Sequence, residues 1–520
     1  MSPFPTDSDP SAASGALPLH EAALRLHPRD NVAIARRDLP SGLILTLEGE
    51  VPITLRQPIP AGHKLALVPV AAGRPVRRYG HPIGLARCDI RPGDHVHTHN
   101  LGAEAFERVL EREASILPVD PLPVEQRRTF LGYRRACGRA GTRNYLAIVA
   151  TVNCSAGAAR EIARHFTPDR LAAFPHVDGV IALAHGSGCP VAHSLLRRTL
   201  AGMLHHPNVA GGLLVGLGCE TDGVDTVLEG GQAAGQPVRR LVIQELGGLR
   251  PTIEAGIAAV EELLPLADQA RRTEVPLSEL VVALQCGGSD AWSGVTANPV
   301  VGLVADELVR QGATAVLAET PEIYGAEQLL AARAVSAEVG SKLVGWVRWW
   351  GEHAHRLGFD LDQNRSTGNA AGGLTTIYEK SLGAVAKAGS TPLVEVFGYA
   401  EPVHARGLVF MNTPGFDPVS VTGQVAGGCN LVLFTTGRGS VLGFKPAPVI
   451  KVSSTTALYR RMAGDIDLDA GRVLEGEAME QVAAELLEQV IAVALGQPSR
   501  SEAQGAGEAE FCPWNVEGVV

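Results

Sequence analysis

The stretch LVVALQCGGSDAWSGVTANPVVG, residues 280–302, decides the fold that we expect for the second half of the chain. The apolar run from Val281 to Leu284 has the length of a buried strand, and the sequence QCGGSD follows it. A polar loop then leads into an amphipathic run that predicts a helix. Because a thiol, a hydroxyl, a carboxylate and a carboxamide lie here among glycines, we expect this loop to form the floor of an active site. The alternative is an ordinary turn in which Ser and Asp cap the helix.

Length and composition limit the class of protein. A chain of 520 residues exceeds what one hydrophobic core usually supports, so we expect several domains. The net charge of −10 argues against nucleic acid or an anionic membrane as the main partner. No apolar run approaches the roughly 20 residues that span a bilayer, and the N-terminus lacks the basic start and apolar centre of a signal peptide. Eight cysteines without a dense framework are typical of a reducing cytoplasm, where we expect this protein.

Turn residues and changes in pattern divide the chain. They predict an α/β protein in which a small N-terminal β domain precedes two α/β domains with largely parallel sheets. The predicted segments are a disordered leader (1–18), the β domain (19–102), a helix with a Pro-rich linker (103–128), and the two α/β domains (129–275 and 276–520).

Thiols recur near the ends of predicted strands. Four buried-type strands are each followed by one cysteine, namely Cys154, Cys189, Cys219 and Cys286. In a parallel sheet the carboxyl ends of the strands form one edge, where such folds bind ligands. Several thiols at one edge could hold iron or an iron–sulfur cluster. The alternative is that small buried thiols only fill the core.

Histidines are concentrated in the β domain. His95, His97 and His99 alternate along the chain, and alternate residues of a strand point to one face. That geometry suits metal ligands or an acid/base pair, whereas the alternative is that surface strand ends simply tolerate histidine.

Cationic side chains follow glycine-rich segments in the last domain. Lys380 lies close to the loop NRSTGNAAGGLTT and is a candidate for anion binding, or else part of a solvated helix face. For Lys387 we expect the solvated face. Arg438 lies between glycines at a predicted strand end and suits bidentate carboxylate binding, with an exposed turn as the alternative.

The order of these motifs resembles that of the altronate and galactarate dehydratases, over nearly the whole chain after the leader. The motifs that carry the resemblance are DNVA (30–33), GHK (62–64), RYG (78–80), HTHN (97–100), GTRN (141–144), HxxGC (185–189), GLGCE (216–220), QCGGSD (285–290), GVTANP (294–299), GAEQLL (325–330), AGGLTT (371–376), EKSLG (379–383) and TTGRG (435–439). The resemblance implies a β-clip (SAF-like) N-terminal domain and removal of water from a sugar acid such as altronate, giving a 2-keto-3-deoxy acid. It also implies Fe(2+), with an iron–sulfur cluster as an alternative and Mn(2+) as a substitute.

The chemistry of such a reaction suggests roles for individual residues. The hydrogen beside a carboxylate is barely acidic, so its removal needs a base and cationic stabilisation of the enediolate. The predicted metal ligands are Cys154, Cys189, Cys219 and Cys286. The predicted substrate-binding residues are Arg143, Asn144, Ser289, Asp290, Asn298 and Arg438. The predicted catalytic residues are His185 or Lys380 as the base, and His97 or His99 as the group that helps the hydroxyl to leave.

Other assignments stay open at this point. His97 and His99 could be the iron ligands, which would leave the cysteines structural. The substrate could be galactarate or another 2-hydroxy acid such as sulfolactate, and a non-catalytic sugar-acid binding protein is the alternative from a different class. The expected partner is a small sugar acid, without nucleic acid or membrane, and a homo-oligomer is an open alternative.

Overall fold

The computed structural model describes residues 16–49, 51–103, 120–188, 194–229 and 235–516. The predicted leader and the helix expected before the Pro-rich linker lie mostly or wholly outside these residues. Two compact units are present. The first contains the described residues up to 103 together with Arg365–Lys380, and the second contains the remaining described residues. No helix in the described parts of the chain is long and apolar enough to cross a membrane.

The first unit is built from short strands in three small sheets. All strand pairs are antiparallel except Leu17–Pro18 with Ile44–Thr46, and tight turns connect the strands. Its strands before residue 104 are Leu17–Pro18, Ala23–Leu24, Val32–Ala35, Ile44–Thr46, Ile53–Thr54, Lys64–Ala66, Pro75–Arg78, His81–Ala86, His95–Val96 and Leu101–Gly102, with one short helix, Leu19–Ala22. The strongly bent β domain expected from the sequence is therefore present.

The second unit begins with two sheets. Thr129–Arg134 pairs antiparallel with both Ala140–Gly141 and Arg272–Pro276. A four-stranded parallel sheet follows, with the spatial order Gly179–Leu183, Tyr145–Ala150, Val209–Gly216 and Val238–Val242. The fully buried strand Tyr145–Ala150 carries only apolar side chains, as is usual where helices cover both faces.

A seven-stranded parallel sheet forms the centre of the last part of the chain. Its spatial order is Leu393–Phe397, Gly407–Met411, Thr314–Leu317, Val281–Cys286, Leu431–Thr436, Val449–Ser453 and Leu468–Asp469. The strand Val281–Cys286 lies in the middle, and the chain builds one side of the sheet before it crosses to the other. The reversal in strand order occurs between Val281–Cys286 and Leu431–Thr436, where open α/β sheets bind their ligands.

Helices and short helical turns connect these strands. The helices are Asn153–His165, Pro168–Leu171, Ser194–Leu204, Val224–Glu229, Leu249–Asp268, Ala297–Arg310, Glu327–Ala331, Ala337–Arg356, Thr367–Ala371, Ile377–Ala384, Asp417–Ala426, Thr456–Arg461, Met479–Ala494 and Arg500–Ala503. The 3-10 turns are Val124–Gln126, Leu277–Glu279, Thr320–Ile323, Leu361–Asn364, Val385–Ala388 and Gly471–Glu475.

One apolar core joins the two parallel sheets of the second unit. It contains side chains from both, such as Val149 and Leu214 on one side and Val432 and Phe434 on the other. The helices Ser194–Leu204 and Asp417–Ala426 approach closely there, because a Cβ at Gly202 would lie only 2.2 Å from the carbonyl oxygen of Ala426. The expected fold class, a β domain followed by α/β structure with parallel sheets, is confirmed.

Candidate active site

The central strand of the seven-stranded sheet delivers Cys286 to the carboxyl edge. The chain then leaves through Gly287 and Gly288, and Gly288 has a φ of +63°, which glycine adopts without strain. A Cβ at Gly287 would lie 2.1 Å from Oδ2 of Asp417 and 2.5 Å from Cζ of Phe434. Only glycine therefore allows Asp417 to lie against this turn.

Two glutamates meet the Cys286 thiol in the interior. Sγ of Cys286 lies 3.1 Å from Oε2 of Glu322 and 3.5 Å from Oε2 of Glu319. All three residues are buried, and one donor atom from each lies within 4.8 Å of the others. Glu319 follows the neighbouring strand Thr314–Leu317, and Glu322 lies in the 3-10 turn Thr320–Ile323.

The backbone of Glu319 is held in an uncommon conformation. Its φ of 66° and ψ of 62° are left-handed, which costs a residue other than glycine roughly 1–3 kcal/mol. The Glu319 N–H donates to Oγ1 of Thr413 at 2.9 Å, and Oγ1 of Thr413 lies 2.6 Å from Oγ of Ser420. The N–H of Cys286 donates to Oε2 of Glu319 at 3.1 Å. Such strain persists where the surroundings fix it, and here it aims a carboxylate at the thiol.

Lys387 supplies the positive charge of this group. Its Nζ lies 2.6 Å from Sγ of Cys286 and 3.0 Å from Oε2 of Glu319, and the side chain is 1% exposed. Burial alone would lower the pKa of the ammonium, but the charges of Cys286, Glu319 and Glu322 outweigh it and raise the pKa. The solvated helix face expected for Lys387 is therefore wrong, because the residue lies in the buried turn Val385–Ala388.

Like charges lie close together in this buried site. Burial raises the pKa of Glu319, Lys387 opposes the rise, and the charges of Glu322 and Asp417 add to it. Oε1 of Glu319 is buried and has no hydrogen-bond partner among the residues that the structure describes. Buried carboxylates that repel one another are costly, and a divalent cation between them would relieve the repulsion. A thiol, two carboxylates and an unsatisfied oxygen therefore fit a divalent transition metal.

The four cysteines predicted as metal ligands are divided between two sheets. Cys154 and Cys219 are exposed and follow neighbouring strands of the four-stranded sheet, whereas Cys286 ends a strand of the seven-stranded sheet. Cys189 lies outside the described residues. Among those described, the one metal-compatible group of side chains is Cys286 with Glu319 and Glu322, and it includes neither Cys154 nor Cys219.

His185, one of the two predicted bases, is buried and engaged at both ring nitrogens. Nδ1 accepts the Ser187 N–H at 3.1 Å, so the proton is on Nε2, which donates to the carbonyl of Ala150 at 3.0 Å. Burial lowers the pKa of His185 to about 4. Neither nitrogen offers a lone pair to a substrate in this arrangement.

Two predicted substrate-binding residues instead tie distant segments together. Arg143 is buried and binds both carboxylate oxygens of Glu502 at 2.7 Å. Asn144 donates to the carbonyls of His176 and Ala267 at 2.6 and 3.0 Å. Their contacts are those of structural residues.

The polar residues of the loop after Cys286 are also buried. Asp290 accepts hydrogen bonds from the hydroxyls of Ser293 and Ser454, so it shapes the loop. Asn298 accepts from Oγ1 of Thr435 at 2.6 Å and donates to the carbonyl of Gly383. Ser289 is buried beside them.

Arg438 is the predicted substrate-binding residue that faces solvent. Its backbone N–H donates to the carbonyl of Gly288 at 2.7 Å, across the point where the strand order reverses. An exposed guanidinium beside the Gly287–Gly288 turn is well placed for a carboxylate ligand.

The histidines of the first unit form a cluster that includes an additional member, His63. The strand there covers only His95–Val96, so strict alternation does not apply to His97 and His99. The ring centroid of His95 nevertheless lies 5.4 Å from those of both His97 and His99, and 5.1 Å from that of His63. Lys380, the other predicted base, is buried in the same unit.

Glu319, Glu322 and Lys387 are the residues that the sequence-based site lacks. Glu319 and Glu322 follow directly after an apolar strand, in TAVLAETPE, so the rule that located Cys286 also applies to them. Lys387 gives no local signal of this kind.

Three family models match successive parts of the chain. They are the altronate/galactarate dehydratase SAF domain at residues 21–104, the D-galactarate dehydratase/altronate hydrolase second domain at 132–268, and the D-galactarate/altronate dehydratase C-terminal domain at 277–519.

Curated relatives match nearly the whole length. Altronate dehydratase of Bacillus subtilis (strain 168) is 37% identical over 91% of this chain and 95% of its own. Galactarate dehydratase (L-threo-forming) of Escherichia coli (strain K12) is 37% identical over 91% of this chain and 92% of its own. Two further relatives, from different organisms, are named as subunits of (2R)-sulfolactate sulfo-lyase. The (2R)-sulfolactate sulfo-lyase subunit beta of Chromohalobacter salexigens is 34% identical over 388 residues, 73% of this chain and 96% of its own. The corresponding subunit alpha of Paracoccus pantotrophus is 46% identical over 48 residues, 9% of this chain and 72% of its own.

Proposed function

Because this chain belongs to the D-galactarate/altronate dehydratase family, we propose that it removes water from an aldonate such as altronate and gives a 2-keto-3-deoxy acid. It is a sugar-acid dehydratase, a hydro-lyase. The observation that carries the assignment of the site is the buried group Cys286, Glu319, Glu322 and Lys387 at the centre of the seven-stranded sheet.

The reaction takes a proton from C2 and a hydroxyl from C3, and the resulting enol becomes the 2-keto acid. Lys387 is assigned as the cation of the site, because its buried Nζ lies 2.6 Å from Sγ of Cys286 and 3.0 Å from Oε2 of Glu319. Its positive charge favours the negative charge that develops on the substrate carboxylate during proton removal. His185 does not suit the role of base, since both of its ring nitrogens are engaged, and Lys380 stays the base that the sequence motif predicts.

The other predicted roles stay proposals. Arg438 is assigned to the substrate carboxylate, supported by its exposure beside Gly288. His97 or His99 is assigned to departure of the hydroxyl.

We propose that Fe(2+), with Mn(2+) as a substitute, is held by Cys286, Glu319 and Glu322. The grouping of three buried donor atoms within 4.8 Å, the like-charge repulsion at Glu319 and the unsatisfied Oε1 of Glu319 support this choice. When bound, such an ion acts as a Lewis acid toward oxygens of the substrate. We also propose a cytoplasmic location, which is supported by free thiols at all seven cysteines in the described part of the chain.

The test of this function is turnover on a panel of aldonates and aldarates. The protein is purified anaerobically, supplied with Fe(2+), and assayed for the 2-keto-3-deoxy product. Product from altronate is expected. Product from galactarate alone would change the assigned substrate but would still support a dehydratase reaction. Absence of product from every acid, with folded and iron-loaded protein, would refute the proposal. Sulfolactate belongs in the panel because the sulfo-lyase subunit beta matches 73% of the chain.

Iron content provides a separate test of the ligands. Cys286→Ser is expected to lose bound iron, because it removes the only thiol of the buried group. Cys154→Ser is the matched control, since Cys154 is exposed and lies outside that group, and it is expected to retain iron. Full occupancy in Cys286→Ser would refute the ligand assignment.

A further inference from the structure

A short excursion of the C-terminal region is part of the first unit. Residues 365–380 lie inside the stretch matched by the C-terminal family model, 277–519. In the structure, however, Arg365–Lys380 group with the described residues before 104 and not with the rest of that stretch. The chain therefore contributes sixteen consecutive residues from its C-terminal half to the β-clip unit.

A buried ion cluster joins this excursion to the β-clip strands. Glu379 accepts from Nζ of Lys64 at 2.9 Å through each of its oxygens, and from Nη1 of Arg78 at 2.5 Å. The Lys64 and Glu379 side chains are 0% exposed, and that of Arg78 is 1% exposed. Burial would raise the pKa of Glu379, but the two cations outweigh it and lower the pKa to about 2. Each charge in the cluster therefore depends on partners from the other segment.

Backbone carbonyls of the excursion are bound as well. Lys64 donates from Nζ to the carbonyl of Gly373 at 2.6 Å. His97 donates from Nε2 to the carbonyl of Ala370 at 3.0 Å. In the opposite direction, the hydroxyl of Thr376 donates to the carbonyl of Ile83 at 2.5 Å. These bonds come from three different segments of the β-clip, so residues 365–380 are bound at several positions, from Ala370 to Thr376.

The motifs quoted in the sequence analysis coincide with this contact. GHK supplies Lys64, RYG supplies Arg78, AGGLTT supplies Gly373 and Thr376, and EKSLG supplies Glu379. Motifs that lie about three hundred residues apart in the sequence therefore meet in one contact between the β-clip and residues 365–380.

Sequences related to parts of this chain also occur as separate polypeptides. Two proteins named as sulfolactate sulfo-lyase subunits, a short alpha and a long beta from different organisms, match this chain over 48 and 388 residues respectively.

We propose that residues 365–380 are the docking segment for the β-clip. This contact is sufficient to hold the β-clip to the rest of the chain after the covalent link at residues 104–119 has been cut. The β-clip surface therefore binds a segment of the same chain, residues 365–380, whose buried Glu379 supplies the negative charge. The inference does not rest on the proposed function, since it concerns association and not turnover.

The test uses the full-length protein with a site-specific protease sequence inserted between residues 104 and 119. After cleavage under native conditions, size-exclusion chromatography at micromolar concentration is expected to show the two fragments eluting together. Glu379→Gln removes the buried carboxylate that Lys64 and Arg78 share, and is expected to weaken the association on the order of a hundredfold or more. Thr376→Ala removes one hydrogen bond and is expected to weaken it by roughly a few-fold.

Arg56→Gln is the matched control. It breaks the ion pair between Arg56 and Asp94 in the same unit. The Arg56 side chain is 50% exposed, and the substitution leaves residues 365–380 unchanged. Its fragments are expected to stay together as in the parent protein, and circular dichroism of each uncleaved variant establishes that it is folded. Separation of the parent fragments would overturn the proposal. Unchanged association in both Glu379→Gln and Thr376→Ala would overturn it as well.

Discussion

Replacement of Lys387 by methionine removes the ammonium that contacts both Cys286 and Glu319. Methionine has nearly the same length and fills the same volume, so packing changes little. The loss is electrostatic, because Nζ lies 2.6 Å from Sγ of Cys286 and 3.0 Å from Oε2 of Glu319 in a fully buried setting. Removing one partner of a buried ion pair destabilises a protein by roughly 3–5 kcal/mol. We expect Lys387→Met to lower the free energy of unfolding by that amount in metal-free protein.

The measurement is urea unfolding of metal-free protein, compared with Lys342→Met. Lys342 forms an ion pair with Glu395 at 3.2 Å, but its side chain is 48% exposed. An exposed pair contributes about 0–1 kcal/mol, so the same substitution there is expected to change little. Because the two variants carry the same chemical change, the difference between them isolates the effect of burial. Equal unfolding free energies for both variants would refute the view that Lys387 neutralises a buried acidic group.

Two further predictions follow from other contacts. Gly287→Ala places a Cβ 2.1 Å from Oδ2 of Asp417 and is expected to destabilise the protein by roughly 1–3 kcal/mol in urea unfolding. Gly157→Ala, in the helix Asn153–His165, is the control, because apart from its neighbours and the helix's own backbone no described atom lies within 4 Å of the new Cβ; it is expected to stabilise the protein by about 0.5–1 kcal/mol. Loss of stability from Gly157→Ala equal to that from Gly287→Ala would contradict the steric argument. The pKa of Glu379 is about 2 in the folded state, compared with an ordinary value of 4.5. The ion pairs of Glu379 therefore contribute about 3 kcal/mol to the free energy of unfolding. This contribution is present above pH 4.5 and is lost as the pH falls toward 2. The difference in unfolding free energy between parent and Glu379→Gln is therefore expected to narrow below pH 4.5, and a difference independent of pH would contradict the assignment.

The sequence predicted local structure well where one segment contains the whole signal. The apolar run that begins at Val281 forms the strand Val281–Cys286, and the amphipathic run after the loop forms the helix Ala297–Arg310. Both follow from side-chain periodicity, which is a property of consecutive residues. The turn at Gly287 was likewise visible, although its reason, the approach of Asp417, was not.

The environment of Lys387 could not be predicted in this way. It is separated from Cys286 by 101 residues and from Glu319 by 68, and nothing in the sequence VAKAG indicates which groups lie opposite. Lysine is almost never fully buried unless it is paired, so a solvated helix face is the reasonable expectation for Lys387. The expectation fails because the acidic partners of Lys387, Cys286 and Glu319, come from other strands.

The cysteines illustrate a related limit with a consequence for the chemistry. The strands predicted before Cys154, Cys219 and Cys286 are present, but the order of strands in space decides which strand ends become neighbours, and that order is set by long-range packing. The structure places Cys154 and Cys219 at the edge of one sheet, exposed, and Cys286 in the interior at the edge of another. A thiol alone is a weak metal site. What distinguishes Cys286 is the pair of buried carboxylates that lie within 4.8 Å of it, where like charge raises the pKa of Glu319. The grouping of donor atoms, and not the thiol pattern, is therefore the physical reason for the proposal that Cys286, Glu319 and Glu322 hold a metal ion.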